Sequence, residues 1–369
     1  MASFLDRVAQ GAHNLLINCG NCAPGHRVLL ISEEDSGGFY DPHLAPAIHA
    51  AGDALGLIIE MYFVPFHREV NDPDETLMQK INDADCTLFL ARLGDQIRFH
   101  ETGLASTQII NYALDRDMLA SSFGTIDYQA FESLGRLINK TIEQSESIRV
   151  TCPVGTHFEG HAAKFSRFKG DTTRKRFPIS VFAPIPAKGF RGRIAQNGFL
   201  TGTGSQYYSP WHCPLEETLF VNFEGNRITG FDGTPKDVAA AKMHYEFVGN
   251  TYGIDTYFIH SWHAGIHPGC EYRECAGLNY ERWSGCAFGN PRLMHFHTCG
   301  EYPPGEISLN LLDPTVSADG VPIWEAGRLY PERLQGGSAL LEQYPEMRAA
   351  FDCPATQVGQ SESGQLAYV

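Results

Sequence analysis

The chain has 369 residues, with 28 Lys plus Arg against 43 Asp plus Glu, a formal charge of -15 at pH 7. That length exceeds the usual extent of one hydrophobic core, so two domains are expected, and the negative field repels phosphate backbones and anionic lipid, which argues against nucleic acid as a partner. No apolar run of about 18 residues is present, and Met-Ala-Ser-Phe-Leu-Asp-Arg at the start has neither the basic opening nor the apolar stretch of a secretion signal; a soluble, cytoplasmic protein with no membrane partner is the expectation.

Taken in chain order, the first part alternates two patterns. Apolar periodicity predicts helices over 4–18, 44–55, 75–83 and 134–145. Short apolar runs bounded by turn residues predict strands at Val28-Leu-Leu-Ile-Ser32, Gly56-Leu-Ile-Ile-Glu-Met-Tyr-Phe-Val64, Cys86-Thr-Leu-Phe-Leu90 and Ser147-Ile-Arg-Val-Thr151. The alternation predicts an α/β domain over 1–150 with an open, mostly parallel sheet. Beyond residue 150, Gly, Pro and aromatic residues punctuate short β-like runs at Ile179-Ser-Val-Phe182, Thr218-Leu-Phe-Val-Asn-Phe223 and 305–312, with one long helix over 235–249. We therefore expect a β-rich α+β domain over 151–345 that carries the chemistry, followed by a C-terminal tail over 346–369 whose end is rich in Gln, Ser and Gly.

Five histidines crowd into Phe258-Ile-His260-Ser-Trp-His263-Ala-Gly-Ile-His267-Pro-Gly and Leu293-Met-His295-Phe-His297-Thr-Cys299-Gly300. Neutral imidazole is the commonest metal ligand in proteins, and His-x-His on a strand points both rings to one face, where they can converge on one ion. A helix through the first group is disfavoured, because Gly265 and Pro268-Gly269 interrupt it and Thr256-Tyr-Phe-Ile reads as β.

Other motifs are weaker. The ten cysteines show no dense framework and are expected as reduced thiols; Cys19-Gly-Asn-Cys22 lacks a partner pair and reads as a loop. Gly202-Thr-Gly-Ser lacks the Gly-Lys-Ser/Thr of a phosphate loop. The basic residues Arg174, Lys175, Arg176, Arg191 and Arg193 read as a solvated loop. His212, in Trp-His-Cys-Pro-Leu-Glu-Glu, is either a proton shuttle or ligand, or a hydrogen-bonded histidine in a Pro-bracketed turn. A nucleophile elbow of the Gly-x-Ser-x-Gly type is absent.

Three stretches in order along the chain, Asn14-Leu-Leu-Ile-Asn-Cys-Gly-Asn-Cys-Ala-Pro-Gly25, Arg149-Val-Thr-Cys-Pro-Val-Gly155-Thr156 and Val316-Ser-Ala-Asp319-Gly320-Val-Pro-Ile-Trp, resemble the thermophilic aminopeptidase-T group of metallopeptidases. That fold also includes a ring-opening, iron-dependent dihydroxypyridine dioxygenase. The resemblance implies a metal ligand on the strand before Gly265-Ile-His-Pro268, which makes His263 the first candidate and His260 the next. It implies a second ligand before Gly300-Glu-Tyr-Pro303, where His297 and His295 stand. The family's His-x-Asp ligand pair is missing: the corresponding stretch reads Glu306-Ile-Ser308-Leu-Asn310. Glu306 then supplies the carboxylate, or histidines hold the ion alone, or metal binding has been lost. His212 stands near where the peptidases carry an upstream carboxylate.

Few carboxylates accompany these histidines, so one ion is expected rather than a carboxylate-bridged pair. His263, His297, Glu306 and His260 are the expected metal ligands, with His212 and His295 as acid/base groups. Fe(II) is the expected ion, with Zn or Mn as alternatives, in an oxygenase acting on a small or heterocyclic molecule. A metallo-aminopeptidase or amidohydrolase acting on a peptide, and a binding protein without catalysis, are the competing readings. A homodimer is the expected assembly.

Overall fold

The computed structural model describes residues 2–35, 37–68, 73–99, 106–162, 173–362 and 364–366. The chain divides into two compact units, Met1–Glu132 with Asp171–Ser180, and Ser133–Gly170 with Val181–Val369. The sequence reading places one boundary at residue 150. The units instead divide within a helix, and the chain returns once to the first unit.

That return has a local cause. Lys175–Phe177 pairs in parallel with Thr107–Asn111, so Arg174, Lys175 and Arg176 belong to an edge strand and its approach rather than to a solvated loop. The sheet of the first unit comprises β1 (Arg27–Glu33), β2 (Ile58–Val64), β3 (Cys86–Leu90), β4 (Thr107–Asn111) and this seventh strand of the chain, β7, in the order β2-β1-β3-β4-β7, with every pairing parallel. Helices α1 (Phe4–His13), α2 (Leu44–Ala54), α3 (Glu75–Asp83), α4 (Arg92–Gln96), α5 (Arg116–Ala120) and α6 (Ser122–Thr125) complete it, and α7 (Tyr128–Gln144) carries the chain into the second unit. The first helix starts at a capping box in which Ser3 and Asp6 satisfy each other's backbone N–H groups. It gives way at Asn14–Cys19 to a π-helical turn, so the helix expected over 4–18 is two kinds of helix in succession. Leu29, Ile31 and Phe89 from the strands pack with Leu77 and Ile81 of α3, the burial that apolar strands between helices require.

The second unit is a pair of antiparallel sheets. One holds eight strands in the order β13-β12-β9-β6-β5-β17-β18-β19: β5 (Ile148–Thr151), β6 (His157–Gly160), β9 (Phe190–Gln196), β12 (Leu219–Glu224), β13 (Arg227–Asp232), β17 (Thr315–Ala318), β18 (Val321–Glu325) and β19 (Arg328–Leu329). The other holds six in the order β11-β10-β16-β15-β14-β8: β8 (Ile185–Pro186), β10 (Phe199–Thr201), β11 (His212–Pro214), β14 (Ile259–Ala264), β15 (Leu293–Thr298) and β16 (Ile307–Leu312). Their facing sides share an aromatic core. The Phe158 ring lies 5.6 Å from Phe223 and 6.0 Å from Phe190 in its own sheet, and 5.6 Å from Trp262 and 5.3 Å from Phe296 in the other. Edge-on aromatic packing of this kind adds to the area that each ring buries.

Among its described residues this unit also holds helices α8 (Pro235–Tyr252), α9 (Tyr280–Cys286), α10 (Gly337–Gln343) and α11 (Pro345–Asp352). The eighth helix is capped by Thr234, opens with Pro235 and stops at Gly253, whose φ of +64° only glycine adopts readily. The segment 346–369, expected as a tail, is anchored through much of its length. Its start is α11, and Val358 is fully buried with its carbonyl accepting from the Trp283 indole N–H at 2.8 Å, while Tyr272 N–H donates to Gln357 O at 2.9 Å. The run expected as a strand at 179–182 makes only an isolated bridge, Val181 to Gly265, and the strand proper forms at β8. Among the described residues, no helix is long and apolar enough to cross a membrane, and no disulfide joins any of the ten cysteines.

Candidate metal centre

Strands β14, β15 and β16 are adjacent and buried on both faces, which explains why their sequences combine large apolar residues with polar ones. Alternation sends Trp262, Met294, Phe296, Ile307, Leu309 and Leu311 towards the aromatic core. It sends Ser261, His263, His295, His297, Ser308 and Asn310 to the other face. Register then brings the histidines side by side: His263 is directly opposite His295, which is opposite Asn310, and Ser261 is opposite His297, which is opposite Ser308.

The three imidazoles converge. His263 Nε2 lies 2.7 Å from His295 Nε2 and 3.2 Å from His297 Nε2, and His263, His295 and His297 form the group able to hold a metal ion among the described residues. Two nitrogens each about 2.1 Å from a single zinc ion lie roughly 3.0–3.4 Å apart at angles between octahedral and tetrahedral, so these spacings fit one ion after a small opening of the closest pair. The outer nitrogens set the tautomers. His263 Nδ1 is 2.9 Å from the Phe182 carbonyl and His297 Nδ1 is 3.0 Å from Glu306 Oε1. Each of those oxygens only accepts, so Nδ1 donates and Nε2 of each neutral ring turns a lone pair inwards. A proton on His295 Nε2 can bridge to His263, yet His263 and His297 still oppose lone pairs at 3.2 Å. A cation at the common focus satisfies all three.

Aromatic residues cover this face. The Phe288 ring, in the 3-10 turn after α9, stacks on His295 at 4.1 Å; Tyr280 of α9 stacks on His212 at 4.3 Å and meets Phe199 at 4.7 Å. His263 and His295 are each 4% exposed, so water is largely excluded from the focus.

The six residues singled out from sequence are thus separated. His263 and His297, expected as ligands, converge. His295, expected as an acid/base group, joins them, because directly opposed antiparallel residues share a face. Glu306, expected as a ligand, binds the outer nitrogen of His297: pairing ends at Thr298 opposite Ile307, which places Glu306 beyond the row that holds the inner nitrogens. His260 sits at a register shift in β14, its Nδ1 3.0 Å from Ser261 Oγ, outside the converging set. Burial first and the neighbouring His297 second depress its pKa to about 4, with Glu306 acting in the opposite direction. His212 lies on β11 opposite Thr201, which is in turn opposite Ser308, so that two strands, β10 and β16, stand between it and the strand of His297; burial lowers its pKa.

Sequence reasoning missed the residues behind the histidines. Thr203 Oγ donates to Glu306 Oε2 at 2.5 Å, and Tyr208 OH donates to the Glu306 carbonyl at 2.9 Å. The Gly202-Thr-Gly-Ser motif was visible, but nothing in it signalled a partner 103 residues away.

No family model and no curated protein matches the chain. Among solved structures, 2,5-dihydroxypyridine dioxygenase from Pseudomonas putida is similar over 91% of this chain and 100% of its own, with a TM-score of 0.58 at 14% identity. Wild-type AmpT from Thermus thermophilus is similar over 89% of this chain and 100% of its own, with a TM-score of 0.46 at 11% identity. The chain therefore shares the fold of the dioxygenase, a parallel α/β unit joined to a β-rich one.

Proposed function

We propose that the protein is a mononuclear, iron-dependent oxygenase acting on a small or heterocyclic molecule, with His263, His295 and His297 as the metal ligands. The observation that carries this reading is the convergence of three imidazoles on one focus, two of them, His263 and His297, with their tautomers set from behind. Imidazole suits iron, zinc, copper and nickel, and three ligands leave coordination positions open. The converging set contains no carboxylate, which weighs against the bridged two-metal arrangement of a hydrolase. The dioxygenase fold adds support for oxygen chemistry. Bound here, iron would supply the redox chemistry for reaction of an organic substrate with dioxygen.

The chain's own residues hold and shield that focus. Phe182 O and Glu306 orient two of the rings, Phe288 packs flat on the third, and Phe182 meets His263 edge-on at 6.1 Å. The stacked rings restrict water and limit the rotation of His295.

Three histidines also form a known catalytic zinc donor set, so hydrolysis at one zinc is the second reading. The two separate in one experiment: protein purified without a metal-affinity tag is stripped, reloaded with Fe(II), Zn or Mn, and assayed for oxygen uptake with 2,5-dihydroxypyridine and related heterocycles, and for hydrolysis of aminoacyl anilides. Iron-specific oxygen uptake supports the oxygenase. Anaerobic hydrolysis by the zinc form replaces it with the second reading.

A further inference from the structure

The loop after β10 contains the Gly202-Thr203-Gly204-Ser205 motif that the sequence leaves without a role. Its backbone is pressed into the unit. A Cβ on Gly202 would lie 2.2 Å from the Trp211 indole nitrogen, and Gly204 takes a φ of +67°. Gly202 N–H donates to Trp211 O at 3.0 Å, and Gln206 N–H donates to Glu281 Oε1 at 2.8 Å. Thr203 is held at 4% exposure and Ser205 at 1%. A phosphate loop presents open backbone N–H groups, whereas this loop turns the Thr203 hydroxyl to a buried carboxylate.

That carboxylate is Glu306, 3% exposed, with one oxygen on Thr203 and the other on His297 Nδ1 at 3.0 Å. A buried carboxylate is stable only when its oxygens receive donors. The Thr203 hydroxyl fixes the plane of the carboxylate, and the carboxylate fixes the proton on Nδ1 of His297. We propose that Thr203 and Glu306 are positioning residues, a hydrogen-bond chain from the glycine-rich loop that sets the tautomer and aim of His297. The inference rests on the metal reading for its purpose, but its geometry stands on the metal-free protein. Outer partners of this kind typically change metal affinity on the order of 10–100-fold.

The test uses the full-length protein and two readouts. Long-range 15N NMR of the metal-free chain identifies which nitrogen of His297 carries the proton. Competition with a chelator gives affinities for Fe(II) and Zn. Thr203→Val, nearly the same shape without the hydroxyl, is expected to reduce the Nδ1-protonated population and to weaken metal binding about 10-fold or more. Thr203→Ser is expected to restore both, which a packing role would not do, because serine lacks the methyl group. Should Thr203→Val fail to fold, Glu306→Gln replaces it, with the same direction expected in both readouts. A variant with the parent's tautomer and affinity overturns the proposal. A parent chain that binds no metal overturns the metal reading alone, and the tautomer readout then judges Thr203 and Glu306 by itself.

Discussion

His263 and His295 stand directly opposite one another on adjacent antiparallel strands, with their Nε2 atoms 2.7 Å apart. Neither ring reaches the other by a flexible excursion: His263 is tethered through Nδ1 to Phe182 O, and His295 lies flat under Phe288. The site is therefore built into the sheet, and removing one ring removes a donor without unravelling a loop. His263→Ala and His297→Ala are each expected to abolish metal retention while circular dichroism stays that of the parent. Metal content and far-UV spectra decide this together; metal retained at parental levels contradicts the assignment of that ligand.

The aromatic core behind the histidines predicts a stability effect separable from metal binding. Phe158 contacts rings of both sheets and is fully buried, so Phe158→Ala should cost about 3–5 kcal/mol, read as a lowered denaturation midpoint. A cost below about 1 kcal/mol contradicts the sandwich packing.

Gly265 follows the strand that carries His263. Its N–H donates to Leu293 O at 2.9 Å, and a Cβ there would lie 2.1 Å from the backbone oxygen of Asn290, which cannot swing aside as a side chain does. Gly265→Ala is expected to destabilise the fold by about 3 kcal/mol or more, at the upper end of overpacking costs, and to weaken metal retention. Thermal unfolding of metal-free protein checks the first part; an unchanged midpoint contradicts the close approach.

Acid sensitivity has a source outside the metal centre. His244, on α8, is 6% exposed and its Nε2 has no hydrogen-bond partner; burial first and His212 second depress its pKa to about 4 from 6.5. The unfolded chain takes up this proton near pH 6.5 and the folded chain only near pH 4. The stability contribution is therefore complete above pH 6.5 and is lost as pH falls through that window, by on the order of 3 kcal/mol. Burial likewise depresses His267 to about 3, extending the loss to lower pH. His244→Leu should flatten the slope of stability between pH 6.5 and 4 in denaturant titrations. An unaltered slope contradicts burial of the neutral ring.

Much of the first unit is legible because its strands and helices are local patterns: the runs at 28–32, 75–83 and 86–90 reappear as β1, α3 and β3. The return of β7 was not, since Lys175-Arg-Phe177 is short and charged and gains strand geometry only from Ile109 and its neighbours. In the second unit, His-x-His on a strand correctly gave a shared face. Which nitrogens meet depends on the register of β14 against β15, and the role of Glu306 depends on where β15 and β16 stop pairing. Single-strand periodicity carries neither piece of information.

The proposed function requires one ion at the focus of His263, His295 and His297. The most direct measurement is elemental analysis of tag-free protein, as purified and after anaerobic loading with Fe(II), Zn or Mn, alongside His295→Ala. One equivalent per chain in the parent and none in the variant is the predicted result. Two equivalents, or one that survives loss of His295, would contradict it, as would a parent that retains no metal after loading.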